Sequence, residues 1–417
     1  MDRKLTKLEK SWILYDVGNS AFVLLAATIL PIYFNYLADS AGLSSVDYLA
    51  YWGYAASVVT VIVALIGPVF GTIADYKNFK KPLFLAFLIV GAGGCLALGL
   101  CHTWLSFLII FIIAKTGYSA TLVFYDSMLT DVTTEDRLDR VSSQGYAWGY
   151  IGSCIPFLVS LLIVLGKDVI GISMTTAMLI SFAIVSVWWF AVTVPLLKNY
   201  RQIHYMERQP RAVADSFRRL GHTLRGLKEK PRVLLFLLAY FFYIDGVYTI
   251  IDMATAYGTA LGLDTTGLLL ALLVTQIVAF PSAIAFGRLS AKYASDRLIL
   301  VCIAAYTGIA VFAMFMSTQV HFWILAVCVG LFQGGVQALS RSHFAKIIPA
   351  ENSGEYFGLL DICGKGASFM GTTLVGAVSQ ATGKQSLGIG VLVVVFVLGM
   401  VLFVRSVRAA EAGTKQG

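Results

Sequence analysis

The stretch "GTIADYKNFKKP", residues 71–82, closes one long apolar run and opens the next. It sets a glycine, an acid, an asparagine and three lysines between segments with almost no charge. The stretch "GRLSAKYASDR", residues 287–297, does the same thing in the second part of the chain, with Gly287 in the place of Gly71. A second pair, "FYDSMLTDVTTEDR" at 124–137 and "LSRSHFAKIIPAEN" at 339–352, repeats at nearly the same offset. Loops of one type recurring in one register read as a duplication, with two related halves and a site between them near the midplane.

Composition agrees with the reading around that loop. Of 417 residues 58% are hydrophobic and 13% charged, against about 25% charged in soluble domains. Apolar runs of about 20 residues, each enough to cross a bilayer as a helix, recur along the chain. They predict twelve spans at 11–37, 50–74, 82–101, 103–127, 141–166, 172–197, 232–260, 263–288, 297–317, 320–343, 355–380 and 385–405. The first is too long for a signal peptide and lacks a small-residue cleavage site. The fold class is therefore an all-α integral membrane protein of two pseudo-symmetric six-helix halves.

Basic residues give orientation. The N-terminus, the even-numbered loops and the C-terminus hold 27 of the 31 Lys and Arg residues, and the odd-numbered loops hold only Lys167 and Lys384. By the positive-inside rule both termini are cytoplasmic. The net charge of +8 then faces anionic lipid and does not argue for nucleic acid. Residues 1–197 form the first half and 232–417 the second. In the linker, 198–231, Val213, Phe217, Leu220, Leu224 and Leu227 recur at helical spacing among basic residues. They predict either a basic amphipathic helix on the inner membrane surface or a plain tether.

Charge inside a span is costly and marks function by default. Lys115 lies mid-span in the fourth run, Asp245 and Asp252 share a face of the seventh, and Lys365 follows Asp361 by one turn in the eleventh. With Gln276, Gln333 and Gln337 these groups are candidates for a central site taking a small polar or zwitterionic solute, with a coupling proton as a further partner. The plainer alternative is that they pair with one another and hold helices together, above all Asp361 with Lys365.

Asp126 and Arg341 occupy equivalent positions in the two halves, at the offset shared by the second pair of loops. Opposite charges at equivalent sites would meet across a pseudo-two-fold axis as an inner gate; otherwise each is a solvated helix-end charge. In "KSWILYDVGNSAF", residues 10–22, Asp16, Asn19 and Ser20 share one face, with Asp16 about 7 Å and Asn19 about 12 Å into the span. That depth suits the cytosolic mouth, docked against the opposite half with Gly18 permitting close approach. A proton-carrying role for Asp16 is the alternative.

No metal, cofactor or catalytic chemistry is expected. The six cysteines have no CxxC spacing, the five histidines form no HxxxH or HExxH pattern, and no Gly-rich phosphate loop is present.

These features resemble the major facilitator superfamily, whose loop after the second span reads G-x-x-x-D-R-x-G-R-K. Gly71, Asp75 and Lys80 fit it, while Tyr76 stands for the Arg and Asn78 for the second Gly. The resemblance implies that this loop latches the halves, with Asp75 capping or pairing near the eleventh span. More specifically, "WILYDVGNSAF", "RVSSQGYAWGYIG" and "QALSRSHFAKIIPAENSGEYFGLLDICGKGAS" resemble the vacuole-effluxer-like branch. Its fungal members are similar to amino-acid effluxers of the vacuole. The resemblance implies an alternating-access secondary transporter of a small polar metabolite such as an amino acid. A sugar or nucleoside carrier, or a sensor that has lost transport, are the competing readings. The chain is expected to work as a monomer. Compact loops and the lack of N-x-[ST] sites point to a bacterial inner membrane.

Overall fold

The computed structural model describes residues 4–207, 212–260 and 262–414. Twelve long helices follow one another among the described residues. They are α1 Lys7–Ser40, α2 Ser45–Ala74, α3 Lys80–Leu98, α4 Trp104–Ser127, α5 Leu138–Leu165 and α6 Met174–Asn199. After a linker come α7 Pro231–Ala260, α8 Thr265–Leu289, α9 Ser295–Met314, α10 Gln319–Ile347, α11 Ser353–Thr382 and α12 Gln385–Thr414. Eleven are long and apolar enough, over their described residues, to cross a membrane. The exception is α11, which carries Glu355, Asp361 and Lys365.

Polar caps set where these apolar rods begin. Thr6 and Glu9 form a reciprocal capping box at α1, and Ser44, Thr103, Ser173, Asp264 and Thr318 each accept a first-turn N–H. Short turns join the rods at one end, four of them through Gly42, Gly171, Gly262 and Gly383 in the left-handed region. The chain passes from α3 to α4 through residues 99–103 alone.

The pattern of helix contacts repeats six helices on. In the first set α1 packs on α5 and α6, α2 on α4, and α3 on α4 and α6; in the second α7 packs on α11 and α12, α8 on α10, and α9 on α10 and α12. Between the sets α2 meets α11 and α5 meets α8, which exchange under the same shift.

Four contacts gather the start of α1, the linker, the start of α7 and the end of α12 at one end of the bundle. These are Arg137–Glu9, Tyr200–Asp131, Lys230–Tyr356 and Ser406–Arg232. We call it the terminal end and the opposite one the far end. The linker contains a helix, Ala212–Gly226, which packs on α2. Leu227 is buried and Leu220 half-buried, but Phe217 and Leu224 are exposed, so its apolar stripe is divided between protein and surroundings. The Val213 side chain lies outside the described residues.

Candidate transport pathway and gate

At the terminal end the sequence builds a buried knot around one guanidinium. Arg341 on α10 is 4% exposed. Its Nη1 donates to Asp126 Oδ1 on α4 at 3.0 Å and to Asp16 Oδ2 on α1 at 3.5 Å. Nη2 donates to the Ser142 carbonyl on α5 at 3.0 Å, and Nε to Ser142 Oγ at 2.9 Å. Ser142 Oγ in turn donates to the Ala338 carbonyl at 2.7 Å. The rings of Trp12, Tyr125 and Tyr146 lie 4.6, 5.4 and 4.3 Å from the guanidinium carbon, close enough for cation–π attraction. One cation thus binds three helices of the first set to one helix of the second. Removing one partner from such a buried pair costs about 3–5 kcal/mol, because the other charge is left unpaired.

Asp16 is fixed from its own side by the Tyr125 hydroxyl at 2.8 Å. Small residues make room for it. A Cβ on Gly145 would stand 2.5 Å from Asp16 Oδ2, one on Gly149 2.9 Å from Ser20 Oγ, and one on Gly152 2.5 Å from Val17. The glycine spacing in "SSQGYAWGYIG" is therefore the seat for α1 on α5, and Ser142 at its head meets Arg341. Asn19 is buried beside Ser20 and Gly18 abuts Val192 and Trp189 of α6. That corrects the expectation for Gly18, because its close approach lies inside the first set and not against the second.

A second seal joins α2 to α11. At Gly71 and Gly354 the two backbones touch directly, and a Cβ on Gly358 would stand 2.7 Å from Pro68 Cα. Only side-chain-free backbone permits that crossing. Asp75, just past α2, accepts the first-turn N–H groups of Gly354 at 2.7 Å and Glu355 at 3.0 Å, so one set supplies the N-terminal cap for a helix of the other. Tyr76 stands where the superfamily pattern has an arginine. The guanidinium comes from the linker instead, where Arg219 pairs with Asp75 at 2.9 Å and Glu355 at 2.8 Å. Asn78, which stands for the second Gly of the pattern, adopts a φ of +65° in the left-handed region.

Beneath the loop Lys80 donates to Ser353 Oγ at 2.9 Å and lies 3.6 Å from Asp131. Burial raises the Asp131 carboxyl, but Lys80, His204 and Tyr200 outweigh it and hold the group below the usual carboxylate range. The hydrogen bond to Asp131 holds His204 above its ordinary value. Ser342 and Lys346 both reach Asp139 at 2.6 Å, which adds a further link from α10 to α5.

Deeper in the bundle Lys115 stands on α4, with its ammonium 4.9 Å from the Tyr118 ring and 5.9 Å from Phe22. It makes no hydrogen bond or ion pair among the described residues. Asp252 and Lys365 are the charged groups that act on it electrostatically. Lys365 pairs with Asp361 and reaches the Ser119 carbonyl of α4 at 3.4 Å. Gln337 accepts from Tyr150 of α5 at 3.3 Å. Gln333 is buried with its carbonyl oxygen unpartnered, and Gln276 is half-buried on α8. Asp245 and Asp252 do not share surroundings, contrary to expectation. Asp252 is exposed, whereas Asp245 is fully buried against Gly371 of α11 at 2.8 Å. Seven residues keep the two on nearly one face of α7, so what separates them is about 10 Å of depth along the helix.

Sequence reasoning missed Arg219, Ser142 and Tyr125 as members of these seals, and named Lys80 only as a match to the loop pattern. Ser142 opens the quoted motif and could have been marked; nothing distinguished Arg219 among the linker's basic residues.

Three comparisons bear on this arrangement. The family model described as "Vacuole effluxer Atg22 like" matches residues 6–416. An uncharacterized MFS-type transporter, YxiO of Bacillus subtilis (strain 168), is 42% identical, covering 96% of this chain and 95% of that one. Autophagy-related protein 22 of Coccidioides immitis (strain RS) is 22% identical over 83% of this chain and 70% of its own. Among solved structures, the major facilitator superfamily transporter FucP in the outward conformation superposes with a TM-score of 0.71 at 15% identity. It covers 96% of this chain and 97% of that one.

Proposed function

Since the chain belongs to the vacuole effluxer Atg22-like family of major facilitator transporters, we propose that it is a secondary carrier of a small zwitterionic metabolite, an amino acid. It works by alternating access, with α1–α6 rocking against α7–α12 as two halves across twelve spans, and the terminal end faces the cytoplasm. The Arg341 and Asp75 seals are then the inner gate, and the described state is outward-facing.

The observation that carries the substrate class is Lys115. An ammonium deep in a span, without a carboxylate partner and resting on two aromatic faces, is a waiting site for a carboxylate. A charge left uncompensated in hydrocarbon is expensive, so a ligand that neutralises it binds with that advantage. The exposed carboxyl of Asp252 and the Asp361 carboxylate lie on the opposing half and suit an α-ammonium. A sugar or nucleoside would leave the lysine unsatisfied.

The test is thermal stability of purified protein against amino acids, sugars, nucleosides and organic acids, followed by flux into proteoliposomes. A ligand at 100 times its dissociation constant stabilises the native state by about 2.7 kcal/mol. The expected result is a rise in Tm with one class of amino acid, lost in Lys115→Ala together with flux of that solute. A rise with neutral solutes only, unchanged in Lys115→Ala, would overturn the assignment.

A further inference from the structure

Asp245 is the acid that the gate and the Lys115 site leave unused. It lies about 21 Å along α7 from the first residue of that helix, at about 1.5 Å per residue, and it is 0% exposed. Oδ1 accepts the Gly371 N–H at 2.8 Å and meets the Thr249 hydroxyl at 3.5 Å. Oδ2 is buried with no partner. A Cβ on Gly371 would stand 2.5 Å from Oδ1 and 2.8 Å from Oδ2, so the glycine is what lets the carboxyl lie against the backbone of α11. No Lys, Arg or His nitrogen among the described residues pairs with it.

The titratable groups on neighbouring elements are committed elsewhere or distant. On α7 itself these are Arg232 in the first turn, Tyr240, Tyr243, bonded to Ser340, Tyr248 and Tyr257, bonded to the Ala313 carbonyl, with the exposed Asp252 two turns on. Helix α11 carries the Asp361–Lys365 pair and Cys363, α9 carries Cys302 and Tyr306, and α10 carries Arg341, held by the gate, and His343. Helices α8 and α12 have titratable side chains only near their terminal ends, among them Arg288 on α8 and Arg405 and Arg408 on α12. What acts on the Asp245 carboxyl is its burial, the Gly371 N–H and the Thr249 hydroxyl.

An isolated carboxylate in a dry interior is too costly to persist, and such a group takes a proton instead. We propose that Asp245 is the binding site for a coupling proton, held as the neutral acid while α11 lies closed on α7 and released to water when α11, freed from α2 as the Asp75 seal opens, shifts against α7 within its own half. The inference rests on the alternating-access reading but not on the identity of the solute. The step balances simply: the O–H bond of the acid breaks, the electron pair stays on the carboxylate, and the proton leaves to the aqueous phase reached by the opened interface. Because α11 also forms the Asp75 seal, deprotonation at Asp245 favours the state in which that seal is open.

The test needs no substrate. Infrared difference spectra of wild type against Asp245→Asn, titrated from acid to alkaline pH, should show a protonated-carboxyl band that is present at neutral pH, absent in the variant and lost in alkali. Spin-label distances between residues 135 and 351, across the terminal end, should lengthen in wild type over the same pH range. In Asp245→Asn, which mimics the neutral acid, they should stay short. If the asparagine variant does not fold, Gly371→Ala, which presses a methyl group on the carboxyl, should move the titration midpoint of the band. No difference band at neutral pH, or equal pH dependence of the distances in both proteins, would overturn the proposal.

Discussion

Arg341 concentrates the account at the scale of single residues. Its five donors reach two carboxylates and both polar atoms of Ser142, a fork that a point-like ammonium cannot copy. Arg341→Lys should therefore lose most transport, although charge is kept and Tm changes little beside the loss in Arg341→Ala. The single reversals Asp126→Arg and Arg341→Asp should both abolish flux, and the double exchange should restore a measurable part of it. Absence of any rescue would remove Asp126 from the gate. That these two residues meet was legible in the sequence, because equivalent positions of a duplicated chain lie symmetrically about one axis. The Asp16 contribution was legible only as a shallow polar face. Its contact with Arg341 depends on Gly145 leaving space, and spacing alone cannot show which helix will occupy such a space.

At the scale of elements, the α2–α11 crossing and the linker make two predictions. A Cβ on Gly354 would meet the Gly71 carbonyl and stand 2.7 Å from Asp75 Oδ1. Gly354→Val should hold the terminal end open, visible as a longer distance between spin labels on 135 and 351 with helical content unchanged. The linker's hold through His204 and Asp131 depends on pH in a direction that follows from their shifts. His204 is held above its ordinary value, so its contribution is complete below about pH 6.5 and fades as pH rises through the raised value. Asp131 is held below its ordinary value, so its contribution is present above about pH 3.9 and is lost only in stronger acid. The Tm difference between wild type and His204→Gln should be greatest near pH 6 and shrink in alkali. A difference that grows with pH would contradict the pairing. The helix at Ala212–Gly226 was foreseeable from its periodicity. That Arg219 would substitute for the arginine missing at position 76 was not, because it depends on how the helix docks.

For the whole molecule, the apolar runs, their charged punctuation and the near-constant offset of the repeat carried most of the architecture. Most helix ends fell within a few residues of the apolar limits because caps such as Ser173 and Thr318 sit where the runs begin, whereas α12 continues to Thr414, well past its expected limit. Only α11 falls short of the apolarity of the others, and its charged residues are Glu355, paired with Arg219, and the Asp361–Lys365 pair. What the sequence could not convey was state. Arg341, Asp75 and Asp139 all link the two sets of helices at the terminal end, and the deepest side-chain links described, Tyr150–Gln337 and Lys365–Ser119, lie about midway along their helices. Moving a two-state equilibrium from 1:99 to 99:1 takes about 5.5 kcal/mol, so the loss of one buried partner at Arg341, about 3–5 kcal/mol, is enough to populate the opposite state heavily. The most direct measurement is a pair of spin-label distances in lipid nanodiscs, 135 to 351 at the terminal end and 40 to 384 at the far end, in wild type and Arg341→Ala. Alternating access predicts that the variant lengthens the first distance and shortens the second together. A terminal-end distance that lengthens while the far end stays unchanged, or no change in either, would contradict it.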